Sequence, residues 1–190
     1  LIDPDAERAR RVLKTKCQSF VLSAYKDTVV YPTFKDYMAS VCAETYPHAV
    51  WVGSPPAFRG GTEPGRNLEQ LLTAGLPNVP LFIEKPVSTG AVDQTFEVAK
   101  MLEQNGSLVS VGYMLRYLKV VQKMKQIIAE NDLHVMAVNA RYVIAYEHLT
   151  KQWWWNKSQS LGPVIEQATH FCDLARYFGG EVELDSIIAH

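Results

Sequence analysis

The sequence predicts an α/β fold: a parallel sheet covered by helices on both faces, followed by the start of an α+β region with a mainly antiparallel sheet. Short apolar runs at residues 49–53, 80–83 and 108–112 alternate with helix-patterned stretches. Strands of a covered parallel sheet read as such continuous apolar runs. After Arg116 the character shifts. In residues 135–145 every second position from Val138 through Ala140, Tyr142 and Ile144 is apolar, as suits an antiparallel strand with one wetted face. Two partial domains follow from this, residues 1–115 and 116–190, joined near 113–118.

The elements run in order. Leu1-Ile2-Asp3 reads as the tail of a strand that starts upstream. Residues 4 to about 20 are helical, with Pro4 in the first turn. The strand at 49–53 halts in Gly53, Ser54, Pro55 and Pro56. Residues 60–65 are turn-rich, and 67–74 are helical. The strand at 80–83 is stopped by Glu84-Lys85 and Pro86. Residues 93–104 form an amphipathic helix, and 119–130 another. A polar, Trp-rich loop spans 147–161. Gly162-Pro163 then opens a helix from about 164 to 178, closed by Gly179-Gly180. Residues 183–189 begin one more strand.

Bulk properties exclude several classes. Of 190 residues 47% are hydrophobic and 21% charged, an ordinary globular composition. A net charge of -1 and a pI near 6.6 give no reason to expect nucleic acid or an anionic membrane surface as partner. Apolar runs such as 50–52 are far too short to span a bilayer, and an Arg-rich helical segment rather than a signal peptide follows the first residues. Cys17, Cys42 and Cys172 fit neither a disulfide framework nor a zinc site. A reducing compartment, the cytoplasm, is the resulting expectation.

Ligands of a doubly wound sheet bind outside the carboxyl ends of its strands. Those ends carry Asp3, Ser54-Pro55-Pro56, Glu84-Lys85-Pro86 and Gly112-Tyr113. Asp3 fits two roles equally: accepting hydrogen bonds from an adenosine ribose, which favours NAD over NADP, or capping the next helix. Lys85 follows an apolar strand directly and stands before a proline, so its backbone is restricted and its aim is set. It can donate to a substrate oxygen, whereas most lysines at strand ends are merely solvated. Glu84 beside it can order the loop.

In Glu166-Gln167-Ala168-Thr169-His170-Phe171-Cys172-Asp173, residues three and four apart share one helical face. Glu166, His170 and Asp173 therefore form a polar stripe. A carboxylate one turn before an imidazole can hold its tautomer and raise its basicity, which suits a general acid/base. A metal reading lacks a further ligand cluster, because His48, His134 and His148 lie in unrelated contexts. The bland reading is a solvated face with an incidental ion pair. Trp153-Trp154-Trp155 offers aromatic surface for a sugar ring, although three in a row cannot share one face. Tyr113 and Arg116 either bind substrate or cofactor, or tie the two domains together.

These motifs come in the order and spacing of one group. Ile83-Glu84-Lys85-Pro86, then Val111-Gly112-Tyr113 with Arg116-Tyr117, then Gly162-Pro163 and Glu166-x-x-x-His170-x-x-Asp173 resemble the glucose–fructose oxidoreductase and inositol dehydrogenase family, Gfo/Idh/MocA. The resemblance covers nearly the whole chain. It implies a Rossmann domain, here without its first strand and Gly-rich turn, and a C-terminal domain built on a mainly antiparallel sheet. It implies NAD or NADP as cofactor, near Asp3, Ser54, Pro55, Pro56, Glu84, Lys85 and Pro86. It implies catalysis by Lys85, Glu166 and His170, and a sugar or polyol bound by Tyr113, Arg116, Trp155 and Asp173. No metal is implied, and full-length members are often dimers or tetramers.

The sequence departs from the family pattern at four positions. Glu166 stands where Asp is usual, Ala168 and Leu161 where Gly is usual, and Arg59 where many members have His. The leading expectation is hydride transfer between NAD(P) and a secondary alcohol. The alternatives are a non-enzymatic regulator of the same fold, similar to the yeast galactose-pathway repressor, and an inactive fragment.

Overall fold

The computed structural model describes residues 1–143 and 155–188. The chain falls into two compact units, residues 1–47 and 48–190. In the first unit, Leu1-Ile2-Asp3 does run as extended chain. Ile2 makes a parallel bridge to Tyr31, closed by Tyr31 N–H to the Leu1 carbonyl at 2.9 Å and Asp3 N–H to the Tyr31 carbonyl at 3.1 Å. Helix α1 is Ala6–Cys17. It starts two residues after Pro4 because Asp5 is its cap, accepting from Arg8 N–H at 2.9 Å. It ends before residue 20 because Ser19 turns back, its hydroxyl donating to the Lys16 carbonyl at 2.7 Å. Two short helices, α2 (Leu22–Tyr25) and α3 (Phe34–Met38), follow in a stretch where the sequence signals no element. Thr33 caps α3 through Asp36 N–H.

The second unit opens with strand β1 (Val50–Val52), helix α4 (Leu68–Gly75), strand β2 (Leu81–Ile83), helix α5 (Val92–Gln104) and strand β3 (Val109–Val111). The three strands are parallel in the order β1-β2-β3, with Val52 opposite Ile83 and Ile83 opposite Val111. Successive strand residues point to opposite faces, and the two faces differ. Val52, Leu81 and Ile83 are buried, as are Leu72 of α4, Leu76 at its C-terminal cap, and Val98 and Leu102 from α5. On the other face Trp51 is 70% exposed and lies against Phe82, ring centroids 4.7 Å apart and planes tilted by 55°. The expectation of a sheet covered on both faces is corrected to this extent: the apolar runs bury one face, and on the other Trp51 remains largely exposed.

Beyond β3, a 3-10 turn (Met114–Tyr117) leads into α6 (Lys119–Glu130). The expected antiparallel strand at 135–145 does not form over its described residues, 135–143. A strand exists only by pairing, and this segment pairs with no strand among the described residues. The same reason corrects the strand expected at 183–189, where Leu184–Ser186 forms a 3-10 turn. Most of the Trp-rich loop, with His148, Trp153 and Trp154, lies outside the described residues; its end forms α7 (Lys157–Ser160). The last expected helix is present but begins differently. Val164–Ala168 is a π-helical segment, and α8 proper is Thr169–Gly179, closed at Gly180 with φ +91°. Among the described residues no helix is long and apolar enough to cross a membrane.

Candidate active site

The site gathers at the carboxyl end of β2. Glu84 N–H still donates to the Val52 carbonyl at 3.0 Å, so the chain leaves the sheet only at Lys85, whose peptide bond to Pro86 is cis. The Lys85 side chain is nearly buried and points at the π segment. Its Nζ donates to the Glu166 carbonyl at 2.6 Å and to Glu166 Oε1 at 2.8 Å. Two residues 81 positions apart thus meet in one charge-assisted contact. Glu84 turns its own carboxylate over Gly112: a Cβ there would come within 2.9 Å of Glu84 Oε2.

Glu166, His170 and Asp173 are all buried, at 7%, 9% and 4% exposure. They share the inward face of the π segment and α8, but they do not act as a hydrogen-bonded triad. Glu166 gives its carboxylate to Lys85 and not to His170, because an ammonium is the stronger donor within reach. Its Oε2 is buried without a partner, and so is His170 Nδ1. Burial, reinforced by the Lys85 charge, holds the imidazole below the ordinary histidine value, while Asp173, Glu166 and Glu84 pull weakly the other way. Glu166 thus raises the basicity of the imidazole as expected, but burial and Lys85 outweigh it, and the net shift favours the neutral ring. Tyr113 stands edge-on to it, centroids 6.4 Å apart, with its hydroxyl 3.5 Å from Thr169 Oγ1.

Arg116 and Asp173 spend their hydrogen bonds on each other. Nε donates to Oδ2 at 2.7 Å and Nη2 to Oδ1, a two-pronged pair that fastens the turn after β3 to α8. The guanidinium also lies 4.8 Å from the Tyr177 ring centre. Of the two roles read from the sequence for Arg116, tying elements together is the one its contacts fill, here within a single unit. Trp155 is 47% exposed. Asp3, in the first unit, is not the helix cap. It accepts Asp5 N–H at 2.8 Å, and Arg8 Nη2 donates to both of its carboxylate oxygens at 2.9 and 3.0 Å.

For a dinucleotide, the relevant strand end is that of β1. Ser54 Oγ is buried with no partner in the chain, and an orphaned hydroxyl at that position suits a ligand carrying its own polar edge. Pro55 is exposed, whereas Pro56 and Pro86 are buried and wall the same end. Two charged residues were not read as site members from the sequence. Arg59 is 1% exposed and donates from Nη1 to the Glu84 carbonyl. Glu69, 2% exposed, accepts Gly60 N–H at 2.9 Å. A signal for Glu69 existed: it stands on the α4 stripe with Leu72 and Leu76, at spacings of three and seven.

Comparison with known proteins decides the class. Residues 1–113 match the model described as "Oxidoreductase family, NAD-binding Rossmann fold", GFO_IDH_MocA. The chain belongs to the Gfo/Idh/MocA oxidoreductase family. Residues 116–190 match "Putative oxidoreductase C terminal domain". Two uncharacterised proteins of Schizosaccharomyces pombe are 44% and 46% identical over 189 residues, 98% of this chain. The chain spans about half of their length, 49% and 46%. A crystal structure of a "putative nadph-dependent oxidoreductase" from Desulfitobacterium hafniense superposes with a TM-score of 0.66 at 17% identity, over 95% of this chain and 47% of that one. At that identity the likeness shows the fold. Membership of Gfo/Idh/MocA makes NAD(P) the cofactor class of this chain.

Proposed function

We propose that the full-length protein oxidises a secondary alcohol of an uncharged sugar, polyol or related compound with NAD(P), and reduces the ketone in reverse. The observation that carries this is a buried Lys85–Glu166 pair beside a neutral His170, in which Glu166 Oε2 and His170 Nδ1 are left without partners. Buried polar atoms of a folded chain are nearly all paired, so two orphans together suit a ligand that supplies the missing hydrogen bonds.

The roles follow from the chemistry of each group. Lys85 holds one oxygen of Glu166 and orients the other to accept from a substrate hydroxyl. Its ammonium has three donors, of which two are used on Glu166, leaving one for the reacting oxygen. His170, kept neutral by burial, takes the hydroxyl proton as the carbon loses its hydride. When bound, the nicotinamide supplies the hydride acceptor, and the products are ketone, reduced dinucleotide and imidazolium. Ser54, Pro56 and Pro86 would hold the cofactor at the strand ends.

The charge pattern supports an uncharged substrate. Among the described residues, Lys85 is matched by Glu166 and Arg116 by Asp173. A carboxylate or phosphate placed against either of these two cations would have to displace its partner, whereas Arg59 and Arg66 keep buried nitrogens without partners. The test is NAD(P)H formation, read by absorbance, across neutral polyols and aldoses and across sugar acids and sugar phosphates. Turnover on neutral members that collapses in Lys85→Met is the expected result. Absence of turnover on every neutral member, with dinucleotide still bound, would favour a regulator and end the enzymatic reading.

A further inference from the structure

Arg59 is the most deeply buried cation among the described residues, and nothing in the proposed chemistry uses it. Its Nη1 donates to the carbonyl of Glu84, the residue immediately before Lys85, and its Nε is buried without a partner. Three carboxylates, Glu69, Glu84 and Glu166, act on its charge and oppose the burial that pushes its guanidinium down. Glu69 holds the next residue of the chain, accepting Gly60 N–H at 2.9 Å. It is pushed up by burial and drawn back by Gly60 N–H and by Arg59.

We propose that Arg59 is a positioning residue for the reacting pair: it grips the Glu84 carbonyl, so that Lys85 leaves the sheet in one direction only, and its charge steadies the Glu166 carboxylate that Lys85 holds. The inference rests on the active-site reading above. Geometry makes the grip matter. Lys85 is a four-carbon stem whose tip must reach one oxygen of Glu166 at 2.8 Å and one carbonyl at 2.6 Å, and its direction is set by the peptide plane that begins at Glu84. A guanidinium presents its donors in a rigid fork and stays charged when buried, unlike a lysine or histidine in the same seat. The competing explanation is that Arg59 only neutralises Glu69.

Steady-state kinetics of the full-length protein separate the two. Arg59→Met is expected to lower kcat about 100-fold, the cost of misplacing a reacting group by about 1 Å, with substrate KM changed less than about threefold. Arg59→Lys keeps the charge but loses the fork, and should sit about tenfold below the parent. The Arg59→Met/Glu69→Gln pair removes both buried charges and should recover the thermal midpoint while kcat stays low. Recovery of kcat to within about twofold in that pair would overturn the inference, because neutralising Glu69 would then be the whole role. If the methionine variants do not fold, Arg59→Lys decides: an unchanged kcat overturns the inference, and a lowered kcat at constant KM supports it. Lys85→Met is the separate control. Its full activity would remove the active-site reading itself, whereas its inactivity beside a fully active Arg59 pair removes only the role of Arg59.

Discussion

Two cation–carboxylate pairs stand within the same unit, and they are built to opposite ends. In Arg116–Asp173 both carboxylate oxygens are taken by one two-pronged guanidinium. In Lys85–Glu166 one carboxylate oxygen and a neighbouring imidazole nitrogen are left buried and unpaired. The first pair closes on itself and can only hold elements together. The second is incomplete until something else arrives. Burial alone therefore does not mark a reacting centre, since Asp173 is more buried than His170. Unspent hydrogen-bonding capacity does.

The largest effect should come from the incomplete pair. Lys85→Met and His170→Ala are each expected to lower kcat by about 10²–10⁴, the usual range for a general acid/base or its partner; Lys85→Met, which leaves Glu166 buried without its cation, should lower the thermal midpoint as well. If Arg116→Met lowered turnover as much as they do, the contrast would collapse. Next comes pH. Because burial and Lys85 hold His170 below its ordinary value, the neutral form persists to lower pH. The kcat/KM profile should be flat above about 6.5 and fall only at a lower apparent pKa. The linked stability has the same sign. Protons bind the unfolded chain first, so the contribution is complete above the ordinary histidine value and is lost as pH falls. An acid limb above that value would contradict the assignment.

The closed pair should answer in stability. Arg116→Met leaves Asp173 buried without its partner. The cost is about 2 kcal/mol, less than for a fully buried pair because Arg116 is partly exposed. Denaturant melts should show this loss, and kcat at saturating substrate should stay within about threefold. A third pair is Asp3–Arg8, of which Asp3 is the residue expected from the sequence to favour NAD. Asp3→Ala should shift the NAD/NADP preference about tenfold toward NADP, or 1.4 kcal/mol, measured as the ratio of kcat/KM values. The smallest effect belongs to Leu161, a non-glycine residue at φ +58°. Leu161→Gly should stabilise by about 0.5–1 kcal/mol, by relieving a left-handed backbone that suits glycine.

The sheet was legible because each strand is an apolar run bracketed by Pro, Gly or charge, as in Pro80 to Lys85. The strands expected at 135–145 and 183–189 misled for the converse reason. Alternation states a preference for one wetted face, but a strand needs a neighbour, and none pairs with these segments among the described residues. Residues 21–47 carry no periodicity strong enough to signal α2 and α3. At the site, Lys85 and the Glu166–His170 stripe were each candidates from their own sequence context, but that Lys85 and Glu166 meet was readable only through a resemblance to a family. No spacing rule says that residues 81 positions apart touch. Their wiring was not readable at all. Helical spacing paired Glu166 with His170, whereas Lys85, arriving from another element, took the carboxylate. Leu161, by contrast, was flagged from sequence as an unusual residue, and the positive φ supplies the physical reason.

A double-mutant cycle of Lys85→Met and Glu166→Gln in the full-length protein, read as kcat, tests most directly whether the incomplete pair acts as one device. Residues that work as a unit are grossly non-additive, so the double variant should be about as slow as the worse single variant. Losses that multiply, each variant costing the same factor with or without the other, would show two independent groups and contradict the account.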